Sequence, residues 1–126
     1  MKDKDETLQR KGMTVAEFFE ELKNFDDTLF AIDITNKFKK SLKLSYSRNL
    51  NLEILQKVVH TLAKGETLAK KYRPHQLGGN LSNIMECHIL PDWLLLWQQY
   101  DESLVLLLID LGTHSDLFGK HRKYLK

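Results

Sequence analysis

The sequence predicts an α+β domain in which helices pack on a twisted antiparallel sheet of about four strands. Two observations lead to this fold class. Apolar residues recur with helical spacing through much of the N-terminal half, and the C-terminal half contains long apolar runs with strand-like alternation. The chain has 126 residues, which is the size of a single domain. We therefore expect one domain over residues 28–126, preceded by an N-terminal extension over residues 1–27.

The N-terminal extension divides into a charged tail and one helix. Residues 1–12 contain too few large apolar side chains to bury surface, so we expect them to be disordered. Thr14 and Glu17 form a capping-box pattern, and the spacing of the apolar residues after them predicts an amphipathic helix over about residues 15–25. The apolar stripe of this helix either packs on the core of the chain's own domain, or the helix is an arm that binds a partner or covers the domain's own groove.

One strand and two helices are predicted next. Alternating apolar residues over residues 30–34 predict a half-buried strand. Either Thr35 or Asn36 then caps a first helix. A second helix begins after either Asn49 or Asn51, and a glycine at its end supplies a left-handed cap.

The first of these helices carries the strongest basic cluster of the chain. Its four lysines are Lys37, Lys39, Lys40 and Lys43. They form either a solvated helix face or a surface that binds RNA phosphates, which requires charge but no reading of bases. The net charge of +2, from 19 Lys and Arg against 17 Asp and Glu, is too small to identify a nucleic-acid-binding protein by itself.

A hairpin turn is predicted at Pro91, because proline fixes its own φ angle and disfavours helical backbone in the residue before it. His88 and Asp92 flank this turn. Glu86 and His88 share one face of the preceding strand by the period of two, whereas Cys87 points to the opposite face. Cys87 is interpreted as a small buried apolar residue rather than a nucleophile, and as the only cysteine it excludes an internal disulfide.

Three of the five histidines, namely His75, His88 and His114, lie between residues 72 and 118. Together with Asp92 they suit either proton transfer or zinc binding. No short ligand spacing such as His-Glu-x-x-His supports a metal, so we predict no metal site and no cofactor. The sequence also lacks a nucleophile elbow and a phosphate-binding glycine loop.

Three motifs resemble the YafQ branch of the RelE/ParE superfamily of bacterial toxins. They read Lys71-Tyr72-Arg73-x-His75-x-Leu77-x-Gly79, Glu86-Cys87-His88-Ile89-x-Pro91-Asp92-Trp93-Leu94-Leu95 and Gly112-Thr113-His114-Ser115-Asp116-Leu117-Phe118. The resemblance covers roughly residues 28–118. It implies a RelE-like fold and the function of a type II toxin, a ribosome-dependent endoribonuclease that cleaves mRNA by metal-free acid–base chemistry.

The resemblance also implies the residues of the site. The catalytic residues it implies are His75, His88, Asp92 and His114. The substrate-binding residues it implies are Trp93, Phe118 and the lysine cluster of Lys37, Lys39, Lys40 and Lys43. His114 is expected to act as the general acid, and Asp92 is expected to act with His75 or His88 as base and orienter. Each aromatic residue also has a purely structural interpretation, in which Trp93 packs in the core and Phe118 packs against the end of the sheet.

Two positions depart from the family pattern. Met85 and Asp110 stand where the family usually has arginines, and residues 80–84 carry no positive charge. Asp110 either repels the charged reaction intermediate, or orients His114, or meets a cation from residues 120–123. A weak nuclease is therefore expected. The alternative function is a toxin-like protein that has lost cleavage and acts as an antitoxin-binding or regulatory module.

The expected partners follow from the same resemblance. They are a cognate antitoxin, the ribosome with its mRNA, and operator DNA only through the antitoxin complex. No membrane partner is expected, because no apolar run reaches about 18 residues and the N-terminus has no signal-peptide pattern. A single cysteine fits a reducing compartment, so we expect a cytoplasmic location.

Overall fold

The computed structural model describes residues 14–119 and Tyr124, and the tail predicted over residues 1–12 and the cations of residues 120–123 lie outside this part. The described residues form four α-helices and five strands. The helices are α1 (Val15–Lys23), α2 (Asn36–Ser47), α3 (Leu52–Ala63) and α4 (His114–Phe118). The strands are β1 (Ala31–Ile34), β2 (His75–Gln76), β3 (Met85–Leu90), β4 (Trp93–Tyr100) and β5 (Val105–Gly112). None of the described helices is long and apolar enough to span a bilayer.

The five strands form one sheet in the order β1-β5-β4-β3-β2. β1 runs parallel to β5, from the pair Ala31 and Val105 to the pair Ile34 and Leu108. The other neighbouring strands are antiparallel. The predicted α+β class is confirmed, with two differences of detail: β2 adds a fifth strand, and the sheet is mixed rather than antiparallel throughout.

Pairing between distant parts of the chain explains both differences. A parallel pair needs a long crossover connection, which the helices α2 and α3 and the strands β2 to β4 supply between β1 and β5. β2 lies in a stretch that the sequence predicts as a loop. Its two residues are too few to show the period of a strand, so only the partner strand reveals it.

Capping residues set the helix starts. Thr14 Oγ1 accepts a hydrogen bond from the Glu17 N–H at 3.1 Å, and the Glu17 carboxylate accepts one from the Thr14 N–H at 2.8 Å, as the capping box predicts. Between the alternatives for the next two helices, Thr35 caps α2 and Asn51 caps α3. Gly65 follows α3 with a φ angle of 78°, which is the predicted left-handed cap.

Helix α1 packs on the chain's own core. Phe18 and Leu22 are fully buried in the cluster that α2, α3 and the helix-facing side of the sheet also form. Gln56 of α3 donates a hydrogen bond to the Glu21 carboxylate of α1 at 2.5 Å. Burial of each such large apolar side chain contributes about 1.5–3 kcal/mol. The domain itself therefore covers the apolar stripe of α1, as the first of the two alternatives expects.

The sheet separates two apolar clusters. The main core lies between the sheet and the helices α1, α2 and α3. A smaller cluster lies on the opposite side, here called the second face, and contains Leu77, Leu94, Leu96, Leu117 and Tyr124. In the β3–β4 register Glu86 is opposite Leu96 and His88 is opposite Leu94. Both polar residues of β3 therefore project to the second face, because cross-strand neighbours share a face.

A β-bulge interrupts the pairing of β4 with β5. Leu96 pairs with Asp110 and the next residue, Trp97, pairs with Leu108, so Ile109 is an extra residue on β5. An extra residue of this kind changes the direction of the side chains that follow it. The bulge thereby sets the position of Asp110 at the end of β5.

Asp110 is fully buried, which argues against the first of its three predicted roles, repulsion of the charged reaction intermediate. Its carboxylate accepts hydrogen bonds from Ser41 Oγ at 2.5 Å, from the Leu111 N–H at 2.8 Å and from the Tyr124 hydroxyl at 3.1 Å. Burial and the negative charge of Asp110 raise the pKa of Tyr124, so this phenol stays protonated as a donor. Asp110 therefore joins α2 and the C-terminal Tyr124 to the sheet.

Candidate active site

The three histidines of the predicted site lie in a row across the sheet. His75 is on β2, His88 is on β3 and His114 is the first residue of α4. The ring centroids of His75 and His88 are 6.4 Å apart, and those of His88 and His114 are 5.5 Å apart. Asp92, in the turn between β3 and β4, contacts His114. The structure therefore brings together all four residues that the sequence predicts to be catalytic.

Asp92 holds His114 through two contacts. Its Oδ1 lies 2.6 Å from His114 Nδ1 and accepts a hydrogen bond from the His114 backbone N–H at 2.8 Å. The backbone hydrogen bond, followed by the side-chain hydrogen bond from His114, lowers the pKa of Asp92, so this group remains a carboxylate. A carboxylate only accepts, so Nδ1 carries the proton and leaves Nε2 for proton transfer. Asp92 was expected beside His75 or His88, and the structure instead pairs it with His114.

Glu86, rather than Asp92, is the carboxylate beside His75. Its Oε1 lies 3.0 Å from His75 Nε2, and the Glu86 side chain is 0% exposed. The other ring nitrogen of His75, Nδ1, lies 2.9 Å from the carbonyl oxygen of Arg73. Both neighbours accept hydrogen bonds, so His75 donates to both only when it is a doubly protonated cation. Glu86 was not among the predicted site residues, although its place on the His88 face and its charge within an apolar strand could have indicated it.

His88 lies between the other two histidines. Its Nδ1 is 3.3 Å from the carbonyl oxygen of Pro91, so the hairpin turn fixes the ring by accepting this proton. Its Nε2 is 3.9 Å from Glu86 Oε1 and is the nitrogen that can accept a proton. The His88 side chain is only 13% exposed, in contrast to 45% for His75 and 47% for His114.

An ion pair supports the short helix that carries His114. Arg48, at the end of α2, contacts both carboxylate oxygens of Asp116 at 2.7 and 3.3 Å. Asp116 also accepts a hydrogen bond from the Thr113 N–H at 2.9 Å, which closes a capping box at the start of α4. A Cβ atom at Gly112 would lie 2.9 Å from Asp116 Cβ, so a glycine is needed here. Arg48 lies outside the three motifs, and nothing in its local sequence pairs it with Asp116.

Trp93 is a core residue, which corrects its predicted role in substrate binding. It is 1% exposed, and its indole N–H donates a hydrogen bond to Ser45 Oγ at 3.1 Å on the helix side of the sheet. Phe118 is half-buried and packs with the second-face cluster, where its ring centroid is 6.2 Å from that of Tyr124. A role of Phe118 in binding substrate stays a prediction.

The lysine cluster lies on the exposed side of α2. Its members are Lys37, Lys39, Lys40 and Lys43. The ammonium group of Lys37 lies 5.5 Å from the ring centroid of Tyr124, at cation–π distance. The role of these lysines in binding RNA stays a prediction.

Neither cysteine chemistry nor a metal-binding geometry is apparent among the described groups. Cys87 is fully buried, and burial raises the pKa of its thiol to about 12, so it is not a thiolate nucleophile at neutral pH. Within residues 14–119 and Tyr124, no three or more His, Cys, Asp or Glu side chains are arranged as a metal site. The arrangement of histidines and carboxylates suits the transfer of protons.

Comparison with protein families identifies the family of this chain. The model of the family described as bacterial toxin of type II toxin–antitoxin system, YafQ, matches residues 30–119. The chain belongs to the YafQ toxin family. The matched range contains the histidine row and both carboxylates, and α1 lies outside it. The predicted resemblance to the YafQ toxins and the predicted RelE-like fold are confirmed.

Several members of this group are similar over nearly their full lengths. The mRNA interferase toxin YafQ of Escherichia coli strain K12 is 31% identical over 90 residues, which cover 70% of this chain and 95% of that protein. The metal-bound toxin from Helicobacter pylori is 42% identical with a TM-score of 0.67, over 71% of this chain and 99% of that one. The E. coli DinJ-YafQ toxin–antitoxin complex is 27% identical with a TM-score of 0.67, and the match covers 72% of this chain and 99% of that one.

Proposed function

We propose that the protein is the toxin of a type II toxin–antitoxin pair and cleaves mRNA on the ribosome by metal-free general acid–base chemistry. The observation that carries this proposal is the row of His75, His88 and His114, with one carboxylate beside each end. Family membership and the named relatives support a toxin rather than the alternative of a module that has lost cleavage.

The proposal gives each histidine a role. His88 Nε2 accepts the proton of the ribose 2′-hydroxyl, and Glu86 stabilises the cation that forms. The 2′-oxygen attacks the phosphorus, and the cationic form of His75, which Glu86 holds at 3.0 Å, stabilises the negative charge of the phosphorane through its own charge. The bond from phosphorus to the 5′-oxygen then breaks, and His114, which enters the step protonated on both ring nitrogens with Nδ1–H held by Asp92, donates its Nε2 proton to that oxygen. The products are a 2′,3′-cyclic phosphate and a 5′-hydroxyl.

Partners are part of the same proposal. A relative forms the DinJ-YafQ toxin–antitoxin complex, which supports a cognate antitoxin for this chain, and operator DNA would be reached only through such a complex. The exposed lysines of α2 would contact ribosomal RNA through its phosphates. The proposed substrate, mRNA on the ribosome, implies action in the cytoplasm.

Cleavage of mRNA on programmed ribosomes tests the proposal. Purified protein should produce fragments with a 2′,3′-cyclic phosphate and a 5′-hydroxyl in Mg²⁺ buffer, at the same rate with and without a zinc-selective chelator, because the assigned catalysts are proton-transfer groups. Induction in growing bacteria should stop growth and generate new mRNA ends, and co-expression of the neighbouring open reading frame should prevent both. Activity that the zinc-selective chelator abolishes and zinc restores would contradict the mechanism. Unchanged mRNA after induction of folded protein would contradict the function.

A further inference from the structure

A cavity of about 470 Å³ adjoins the histidine row. Its walls come from α3, from the 3₁₀ turn at Lys70–Tyr72 and from the β3–β4 hairpin, and His88 is one of its lining residues. Three cations and one aromatic ring also line it, namely Lys57, Lys71, Arg73 and Tyr72. None of these four residues is among the predicted substrate-binding residues.

The three cations of the cavity have no acidic partners in the part of the chain that the structure describes. Arg48, by contrast, pairs with Asp116 at 2.7 Å. No described carboxylate lies within ion-pair distance of Lys57, Lys71 or Arg73, and all three residues are exposed. Cations without acidic partners around a concave surface concentrate the potential there and attract anions.

The aromatic ring adds a second kind of contact. Tyr72 is half-buried, and the ammonium group of Lys71 lies 5.1 Å from its ring centroid. Cations that follow a sugar–phosphate backbone, together with a ring on which a base stacks, are the usual means of binding single-stranded nucleic acid. An acidic peptide would use the cations but would gain little from the ring.

Arg73 connects the cavity to the catalytic residues. Its φ and ψ angles are 50° and 51°, a left-handed conformation that is unfavourable for a residue with a side chain. In this conformation its side chain lines the cavity, and its carbonyl oxygen lies 2.9 Å from His75 Nδ1. A ligand held by Arg73 is therefore next to the row of histidines.

We propose that the cavity is a subsite for the single-stranded RNA nucleotide next to the scissile phosphate. Lys57, Lys71 and Arg73 bind its phosphates, and Tyr72 stacks on its base. This inference rests on the proposed function, whose catalytic His88 forms one wall of the cavity.

Binding of an RNA that the protein cannot cleave tests the subsite separately from catalysis. The probe is a fluorescein-labelled RNA hexamer with 2′-O-methyl groups throughout, and its affinity is measured by fluorescence anisotropy at several salt concentrations. Lys57→Ala combined with Lys71→Ala should weaken binding at least tenfold. The slope of log affinity against log salt should become shallower by about 1.4, because each phosphate contact on a single strand contributes about 0.7.

A charge-matched control is Lys23→Ala combined with Lys64→Ala, since neither lysine lines the cavity. This control should bind the hexamer as the parent does. Tyr72→Phe should also keep parental affinity, whereas Tyr72→Ala should lose it, with thermal melting to show that each variant is folded. A decaglutamate peptide should displace the hexamer far less well than unlabelled RNA does.

Each outcome decides one question. Parental affinity in the Lys57→Ala, Lys71→Ala protein, an equal loss in the control, or equal displacement by decaglutamate would overturn the nucleotide subsite. A parent that cleaves mRNA while the cavity variants bind the hexamer normally overturns the subsite alone. A parent that binds the hexamer through the cavity but cleaves no mRNA on ribosomes overturns the proposed function and leaves the subsite.

Discussion

The two ends of the histidine row differ in how deeply their carboxylates are buried. Asp92 and His114 lie in a turn and at a helix start, and their side chains are 64% and 47% exposed. Glu86 is 0% exposed within the sheet, 3.0 Å from His75 and 3.9 Å from His88. Water screens the exposed pair, whereas the charge of a fully buried carboxylate is screened much less, even with His75 itself 45% exposed. Similar carboxylate–histidine contacts therefore have different effects at the two ends.

At the exposed end the contact is mainly geometric. Asp92 accepts from both the ring and the backbone of His114, so it fixes the tautomer and the ring direction together. At the buried end the contact is mainly electrostatic. In the proposed mechanism the charge of Glu86, 3.0 Å from His75 and 3.9 Å from His88, stabilises positive charge on both rings. Substitutions that keep shape but remove charge should therefore separate the two ends.

The largest effect is expected for His114→Ala. Loss of the general acid should lower cleavage on programmed ribosomes by about 10²–10⁴-fold. The free energy of unfolding should change by less than about 0.5 kcal/mol, because the side chain is 47% exposed at a helix start. The neighbouring exposed residue provides the control, Ser115→Ala, which should retain activity. Full toxicity of folded His114→Ala would remove His114 from the mechanism, and the exposed end would then have no catalytic role.

Glu86→Gln keeps the shape at the buried end and removes the charge. A hydrogen bond to a charged group contributes about 1.5–3 kcal/mol, so cleavage should fall about tenfold to a hundredfold. The exposed acid Glu53 offers a matched control, Glu53→Gln, which should cleave at the parental rate. If Glu86→Gln cleaves as the parent does while His114→Ala is inactive, the buried charge has no part in the reaction.

Asp92→Asn makes the same exchange at the exposed end and should have a smaller effect. The asparagine oxygen still accepts from His114, so the ring keeps its direction, and only a screened charge is lost. We expect cleavage to fall by no more than about tenfold. Asp92→Ala, which also removes the acceptor, should be slower than Asp92→Asn. Equal rates for the two variants would show that orientation is not the role of Asp92.

Local signals in the sequence predicted much of the fold. The capping box at Thr14, the helix starts and the turn at Pro91 depend on residues a few positions apart, and all appear in the structure. The parallel pairing of β1 with β5 depends on strands at opposite ends of the chain, so no local period reveals it. β2 exists only because β3 pairs with it.

For the site, the motifs predicted which residues meet but not how they pair. Asp92 and Glu86 are both acids near histidines in sequence, and only the register of β2, β3 and α4 shows that they serve different rings. The burial of Trp93 depends on which face of β4 meets α2, which its residue type does not specify. The sequence left three roles open for Asp110, and its burial against Ser41 and Tyr124 depends on contacts between distant parts of the chain.

A third carboxylate, Asp116, has a side-chain exposure of 25%, between those of Glu86 and Asp92. Its substitution should have the smallest effect of those predicted, and that effect is on stability. The hydrogen bond from Arg48 lowers its pKa from 3.8 to about 2, with further hydrogen bonds from Thr113. Because the pKa is lower in the folded protein, the added stability is complete above pH 3.8 and is lost as the pH falls towards 2. Since the Arg48 side chain is 40% exposed, we expect about 1 kcal/mol at neutral pH after screening.

Urea unfolding of the parent and Asp116→Asn measures this contribution of the pair. The parent should be more stable at pH 7, and the difference should shrink steadily between pH 4 and pH 2. Asp33→Asn, at an exposed position on β1, is the control and should show no such difference. Arg48→Gln should resemble Asp116→Asn at pH 7, because either change removes the same ion pair. A difference between parent and Asp116→Asn that stays constant from pH 7 to pH 2 would mean that Asp116 stabilises α4 through its capping geometry rather than its charge.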